Sequence, residues 1–196
     1  VLPLDEKQAE TERDDAPSQL RNRAEIGYEP MKVTVVVGNP KSGSRTLAAA
    51  TELAELLAGS RPSTVIDLVN FGPKLLDWQD RSVSEAVEAV GGSSLLVVAS
   101  PTFKGTYSGM LKLFLDRFPN DQGLRGVSTV PLMLGAASTH AMAPDLLLKP
   151  VLVELGATCP GPGLYALDTE YNQAGTLTSY VTRWGAAICR AAKENH

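Results

Sequence analysis

The chain has no surplus of basic residues, no long apolar run and only two cysteines, and each shortage removes a class of function. Its 196 residues carry 18 Lys and Arg against 22 Asp and Glu, a formal charge of −4. Residues 1–30 hold eight acidic and four basic side chains, which leaves residues 31–196 balanced at fourteen of each sign. No nucleic-acid partner is expected, because binding phosphate backbones needs a positive field, and no stripe of interleaved basic and aromatic residues supplies one. No apolar stretch approaches the roughly 18 residues that cross a bilayer, so no membrane partner is expected either. Cys159 and Cys189 lack metal-site spacing, and Cys189 lies beside Ile188 in an apolar helix face. Both thiols are expected to be buried and inert. No charged, apolar and small-residue leader of the secretory kind begins the sequence, which makes the cytoplasm the expected location. Two phosphate-binding signatures are missing too. The dinucleotide fingerprint GxGxxG is absent, and Ser44 and Arg45 stand where a triphosphatase loop needs Lys followed by Ser or Thr.

What is present begins with a flush strand, VTVVV (Val33 to Val37), running into the loop GNPKSGSRT (Gly38 to Thr46) and then the helix TLAAATELAELLAG. A small, polar loop that opens a helix aims successive backbone N–H groups at one spot, where the helix dipole favours an anion by roughly 0.3–1 kcal/mol. Ser42, Ser44 and Thr46 add hydroxyl donors and Arg45 adds charge. The alternative is a plain strand-to-helix turn whose serines only cap the helix. With triphosphate and pyrophosphate signatures absent, a single terminal monophosphate such as that of FMN fits best.

Strand and helix alternate beyond Met31. STVIDLV (Ser63 to Val69) reads as a second strand, Ser82 to Val90 as a helix, and SLLVVAS (Ser94 to Ser100) as a third strand, apolar without alternation as parallel strands covered on both faces are. A helix bearing Leu111, Phe114, Leu115 and Phe118 follows, then a fourth strand, STVPLMLGAA (Ser128 to Ala137). The next helix should be kinked, since Pro144 suits a first turn while Pro150 lacks an N–H and crowds the turn before it. A weaker fifth strand (Gly163 to Leu167) and a last helix with Leu177, Val181, Trp184 and Ile188 at helical spacing complete an α/β, doubly wound parallel sheet with helices on both faces. Residues 31–196 are expected to form one domain. Residues 1–30 read as a polar extension, with a short helix capped near Asp15, Pro17 early and Gly27 at its stop, ending just before a possible start at Met31.

In such a sheet the ligand lies beyond the carboxyl ends of the strands, where strand order reverses. Three loops emerge there: GNPKSGSRT, SPTFKGTYSG (Ser100 to Gly109) and LGAASTHA (Leu134 to Ala141). Their Gly, Ser and Thr residues let backbone approach a flat ligand, and Phe103 and Tyr107 add aromatic neighbours. His140 precedes a helix, where a structural role is expected rather than a proton relay. Asp116 and Arg117 read as an interfacial or solvated charge pair.

The loop GNPKSGSRT, the segment SPTFKGTYSGMLKLFLD and the run HAMAPDLLLKPVLVELGA together resemble the NAD(P)H-dependent FMN reductase family, and most of all the reductases that supply reduced flavin to two-component monooxygenases such as the alkanesulfonate system. The resemblance spans about residues 32–167 and implies a flavodoxin-like fold with strand order 2-1-3-4-5. It implies that Ser42, Ser44, Arg45 and Thr46 hold the FMN phosphate, that Pro101, Thr102, Phe103 and Lys104 line the isoalloxazine edge, and that Gly135, Ala136, Ser138 and Thr139 close the other side. Phe103 stands where the family often has Tyr, keeping the ring without its hydroxyl. Tyr107 matches a tyrosine that, in the monooxygenase-supplying branch, sits in a π-helical turn beside the flavin and at a subunit interface. The implied activity is hydride transfer from NAD(P)H to FMN, which needs orientation rather than an acid, base or nucleophile. A homodimer or homotetramer and a partner monooxygenase are further implications. Two alternatives stay open: a quinone, azo-dye or metal-ion reductase with tightly bound FMN, and a flavodoxin-type electron carrier, which the balanced charge argues mildly against.

Overall fold

The computed structural model describes residues 31–173 and 175–194, and the expectations for residues 1–30 lie outside them. Five parallel strands stand in the order β2-β1-β3-β4-β5, as expected. They are β1 (Val33–Val37), β2 (Thr64–Asp67), β3 (Leu95–Pro101), β4 (Ser128–Gly135) and β5 (Leu164–Leu167). The register pairs Val37 with both Asp67 and Ala99, and Pro101 with Leu134, so the carboxyl ends of the strands form one edge. Because β1, β3 and β4 are apolar on both pleat faces, both must be covered. One face packs Val35, Val97 and Leu132 against α1 (Arg45–Ala58) and α5 (Thr176–Glu194). The other packs Val36, Val98 and Met133 against α2 (Arg81–Gly91), α3 (Gly109–Leu115) and α4 (Lys149–Glu154). Leu53, Phe114 and Leu152 are fully enclosed, and each such side chain contributes about 1.5–3 kcal/mol by leaving water.

Helix ends follow local chemistry. Ser44, Asp80 and Ser108 each accept an N–H of the first turn of α1, α2 and α3 respectively, and Gly59 closes α1 in the left-handed region at φ 70°. The kink expected before Pro150 is a π-turn over Pro144–Leu148, in which the Lys149 N–H bonds to the Pro144 carbonyl. Widening the turn accommodates a ring that cannot donate a hydrogen bond.

Several expected boundaries move. The second strand stops at Asp67, because β1 has no residue beyond Val37 to pair with, and Leu68–Asn70 turns away as a 3-10 turn. The fourth strand stops at Gly135, whose carbonyl accepts the Asp168 N–H. Phe118 lies beyond α3, yet stays in the core edge-on to Phe114, with ring centroids 5.4 Å apart. Asp116 and Arg117 do not pair with each other, since adjacent residues point away from one another near a helix end. Asp116 pairs with Lys112, while Arg117 donates to the Asp77 and Trp78 carbonyls and lies over the Trp78 ring. The cysteines are half-buried rather than enclosed. The Cys189 Sγ donates to the Leu57 carbonyl at 3.2 Å, and burial pushes the Cys159 thiol up to about 11.

Asp67 is the misfit in this core. It is 8% exposed and its Oδ1 has no hydrogen-bond partner among the described residues. Burial pushes its carboxyl above the usual range, against a weaker opposing bond from the Val69 backbone. A raised folded value favours the neutral form, so this group's contribution is full below its unfolded value of 3.8 and is lost as pH rises through the folded value. Asp67→Asn removes the charge that burial disfavours, so it should be more stable than the native chain at pH 7. Urea unfolding should show that gap closing as pH falls toward 4. A less stable variant at pH 7 would mean that the carboxylate is partnered after all.

Candidate functional site

Strand order reverses between β1 and β3, so the loops that leave their ends part company and open a crevice. Its floor is a close crossing. A Cβ on Gly38 would lie 2.4 Å from the Leu111 Cβ, so only glycine lets the first loop pass under α3. The Gly38 N–H donates to the Ala99 carbonyl at 2.8 Å, and the Ser108 hydroxyl donates to the Gly38 carbonyl. Ser108 in turn receives the Leu111 N–H, and its own N–H donates to the buried Ser100 hydroxyl at 2.9 Å. Two links, both at Gly38, thus tie the first strand end to its neighbour and to the second loop, and the two bonds within the second loop fix Ser108 in place.

Above this floor the first loop turns into α1. The Lys41 N–H donates to the Asn39 side-chain oxygen at 2.9 Å, a local turn, and Gly43 at φ 62° reverses the chain into α1. Ser44 is the helix cap, accepting the Leu47 N–H at 3.2 Å. The capping reading of this serine is therefore correct, but it leaves the hydroxyl proton available. Thr46 is in the same position: its Oγ1 accepts from the Asn39 Nδ2 at 3.0 Å and its proton remains. The N–H groups of Arg45 and Thr46, at the start of α1, have no intrahelical acceptor. Ser44, Arg45 and Thr46 line a cavity of about 430 Å³.

The other walls come from the ends of β3, β4 and β5. Pro101, Thr102 and Phe103 line it beside the neighbouring strand end, Leu134, Gly135 and Ala136, together with Asp168. Phe103 and Thr106 exchange backbone hydrogen bonds of 2.8 and 3.2 Å across a tight turn whose central residues, Lys104 and Gly105, both have positive φ, 53° and 84°. Two left-handed residues at the centre make a hairpin turn that projects the Phe103 ring outward, where it is 48% exposed. Lys104 adopts that conformation without glycine's freedom, which is strained backbone at the edge of the crevice. A Cβ on Gly105 would lie 3.4 Å from the His140 Nε2, so this turn sits beneath the imidazole of the third loop. His140 also contacts the Thr139 hydroxyl at 3.3 Å. Tyr165 braces the third loop by donating to the Ala137 carbonyl at 2.6 Å, and a Cβ on Gly135 would lie 1.9 Å from that phenol oxygen.

Of the residues expected at the site, Ser44, Arg45, Thr46, Pro101, Thr102, Phe103, Gly135 and Ala136 line the cavity. Ser42, Lys104, Ser138 and Thr139 are exposed on the same loops just outside it. Tyr107 departs from expectation. It lies before the cap of α3, in no π-turn, half-buried against the α2, α3 and α4 side of the core. A π-turn needs a residue inserted within a helix, and α3 begins only at Gly109. Asn39, Lys41, Ser108 and Asp168 were not singled out beforehand. An Asn before Pro in a strand-end loop and an Asp at the end of the last strand are the signals that could have found two of them.

The profile of the NADPH-dependent FMN reductase family matches residues 31–172. An FMN reductase (NADPH) of Escherichia coli (strain K12) is 32% identical over 144 residues, covering 71% of this chain and 75% of that protein. This chain belongs to the NADPH-dependent FMN reductase family. The NADH-dependent FMN reductase SfnF of Pseudomonas fluorescens (strain Pf0-1) is 28% identical over 152 residues, covering 72% of this chain and 79% of that protein. A crystal structure of an NADH:FMN oxidoreductase (EmoB), in apo form, superposes with a TM-score of 0.71 at 26% identity, covering 83% of this chain and 88% of that one. Membership makes the protein an oxidoreductase of a family that uses NAD(P)H and FMN.

The residues present fit FMN. The cradle offers hydroxyl and backbone donors to a monophosphate, and the cavity has one polar atom that lacks a partner. The Thr102 Oγ1 is buried without a hydrogen-bond partner among the described residues, while its backbone N–H is satisfied by the Leu134 carbonyl at 2.6 Å. A buried hydroxyl left unpaired costs about 1–3 kcal/mol, a cost removed by a ligand atom that bonds to it. Thr102→Val, close in shape but without the hydroxyl, should raise the melting temperature of the flavin-free protein and weaken FMN binding. Calorimetry on one preparation reads both. A Thr102→Val protein that is less stable without flavin would place the hydroxyl's partner within the protein.

Proposed function

We propose that the protein is an NAD(P)H:FMN oxidoreductase that treats FMN as a passing substrate and hands the reduced flavin to a monooxygenase. The observation that carries it is that Ser44, Arg45 and Thr46, at the start of α1, line one cavity beyond the strand ends together with Pro101, Thr102, Phe103, Gly135 and Ala136. When bound, FMN supplies the redox chemistry, accepting hydride from the nicotinamide at its ring. The protein's residues bind and orient. Ser42, Ser44, Arg45 and Thr46 hold the phosphate through N–H, O–H and guanidinium donors, with the dipole of α1 behind them. Pro101, Thr102, Phe103 and Lys104 line one edge of the ring, and Gly135, Ala136, Ser138 and Thr139 close the other with backbone donors that favour negative charge on it. No acid or base is needed, and His140 braces the Gly105 turn.

The handover to a monooxygenase rests on the resemblance of the Ser100 to Asp116 segment to reductases that supply such enzymes. A homodimer or homotetramer is the proposed assembly. Met142, Leu146 and Val153 stand 58%, 65% and 52% exposed along the kinked helix that follows the third loop, an apolar face suited to a second copy. The proposed location is the cytoplasm, where NAD(P)H is supplied. A prosthetic-flavin reductase is the second reading, and the same assay separates them.

Purified protein should be nearly colourless, and its oxidation of NADH or NADPH should rise with added FMN. Flavin stoichiometry followed by absorbance at the nicotinamide band reads both. Yellow protein that turns over a quinone or dye without free FMN would favour the second reading, and no nicotinamide oxidation under any condition would leave a flavodoxin-type carrier. Tyr107→Ala should retain flavin more tightly and turn over free FMN more slowly. Unchanged flavin affinity and rate would remove Tyr107 from flavin exchange.

A further inference from the structure

Arg45 is the first residue of α1, where a cation is opposed by the positive end of the helix dipole, and no acidic side chain in that first turn offsets it. Helix stability therefore does not explain an arginine there; an anion in front of it would. In this structure that anion belongs to the protein. The Arg45 Nη1 lies 3.3 Å from the Asp168 Oδ2 and donates to the Asp168 carbonyl at 3.0 Å. Asp168 lines the same cavity as Ser44, Arg45 and Thr46, and its N–H is bonded to the Gly135 carbonyl at 2.9 Å, so its backbone is tied to the end of β4. The carboxylate stands at the rim of the cradle on a fixed base.

We propose that Asp168 is the residue that keeps FMN loosely bound, by occupying Arg45 and by placing a negative charge where the flavin phosphate must enter. This rests on the reading of the cradle as the FMN phosphate site. On arrival the phosphate competes with Asp168 for the guanidinium and meets the carboxylate's charge; on departure the carboxylate takes the guanidinium back. An internal anion of this kind suits a protein that must release its flavin. The opposite arrangement would have the carboxylate aim Arg45 at the phosphate and so tighten binding, and the two make opposite predictions for one substitution.

The test is the affinity for FMN and for riboflavin, which lacks the phosphate, read by quenching of flavin fluorescence. Asp168→Asn keeps both backbone bonds. It should tighten FMN by about two- to fivefold, the range of an exposed ion pair, and leave riboflavin unchanged. Asp168→Ser should do the same, which guards against a peculiarity of the amide. In an Arg45→Gln background most of the gain should disappear, because the carboxylate acts largely through Arg45. Weaker or unchanged FMN binding in both Asp168 variants overturns the proposal, as does an equal tightening of riboflavin. Equal affinity of the native protein for FMN and riboflavin would overturn the phosphate reading itself, and the proposal with it.

Discussion

The hydrogen bond from the Ser108 hydroxyl to the Gly38 carbonyl is the constraint on which the rest of the site depends. It joins the first loop to the cap of α3 at the one place where strand order reverses and the chain would otherwise be free to spread. Because that oxygen also receives the Leu111 N–H, a single side chain satisfies the helix end and pins the neighbouring loop. The contact requires a glycine at position 38, since any side chain would push against the Leu111 backbone and lift α3. Above this crossing the cradle and the Phe103 turn are held at a fixed separation by buried, fully paired groups. That is where rigidity is needed if a flat ligand is to enter and leave without the walls being rebuilt.

The sheet was legible because its signals are strong and redundant. Three apolar strands without alternation, each followed by a Gly, Ser and Thr loop, leave little besides a parallel sheet with helices on both faces. Strand ends were less legible. Leu68 and Val69 prolong the apolar character of Ser63 to Val69 past Asp67, and nothing in its composition says that the neighbouring strand ends at Val37. The kink was foreseen from Pro150, but its form, a π-turn over Pro144–Leu148, depends on which carbonyl the Lys149 N–H finds.

The site divides along the same line. Loop composition pointed to Ser44 and Thr46, and the family resemblance to Thr102 and Gly135, residue types suited to places where backbone and hydroxyls meet a ligand. Asp168 escaped notice since its role depends on β5 lying next to β4, a long-range fact that brings it 123 residues along the chain to Arg45. The π-turn implied for Tyr107 is missing there for a different reason. A resemblance carries a residue's type across from relatives but not the hydrogen-bond register around it, and here the Ser108 cap starts α3 after the tyrosine.

Affinity and turnover pull against one another in any site that consumes its cofactor as a substrate. Every donor in the cradle that stabilises bound phosphate also slows its departure, so a donor set of this kind would, left unopposed, describe a tight flavoprotein. Phe103 stands 48% exposed at the edge of the cavity. An acidic side chain on the rim acts against those donors, because it weakens the bound state without disturbing the fold beneath it. The balance lies in where each charge is fixed. The hydroxyl and N–H donors belong to a helix start that cannot move, whereas the Arg45 guanidinium sits at the end of a long, exposed side chain that can turn between two anions.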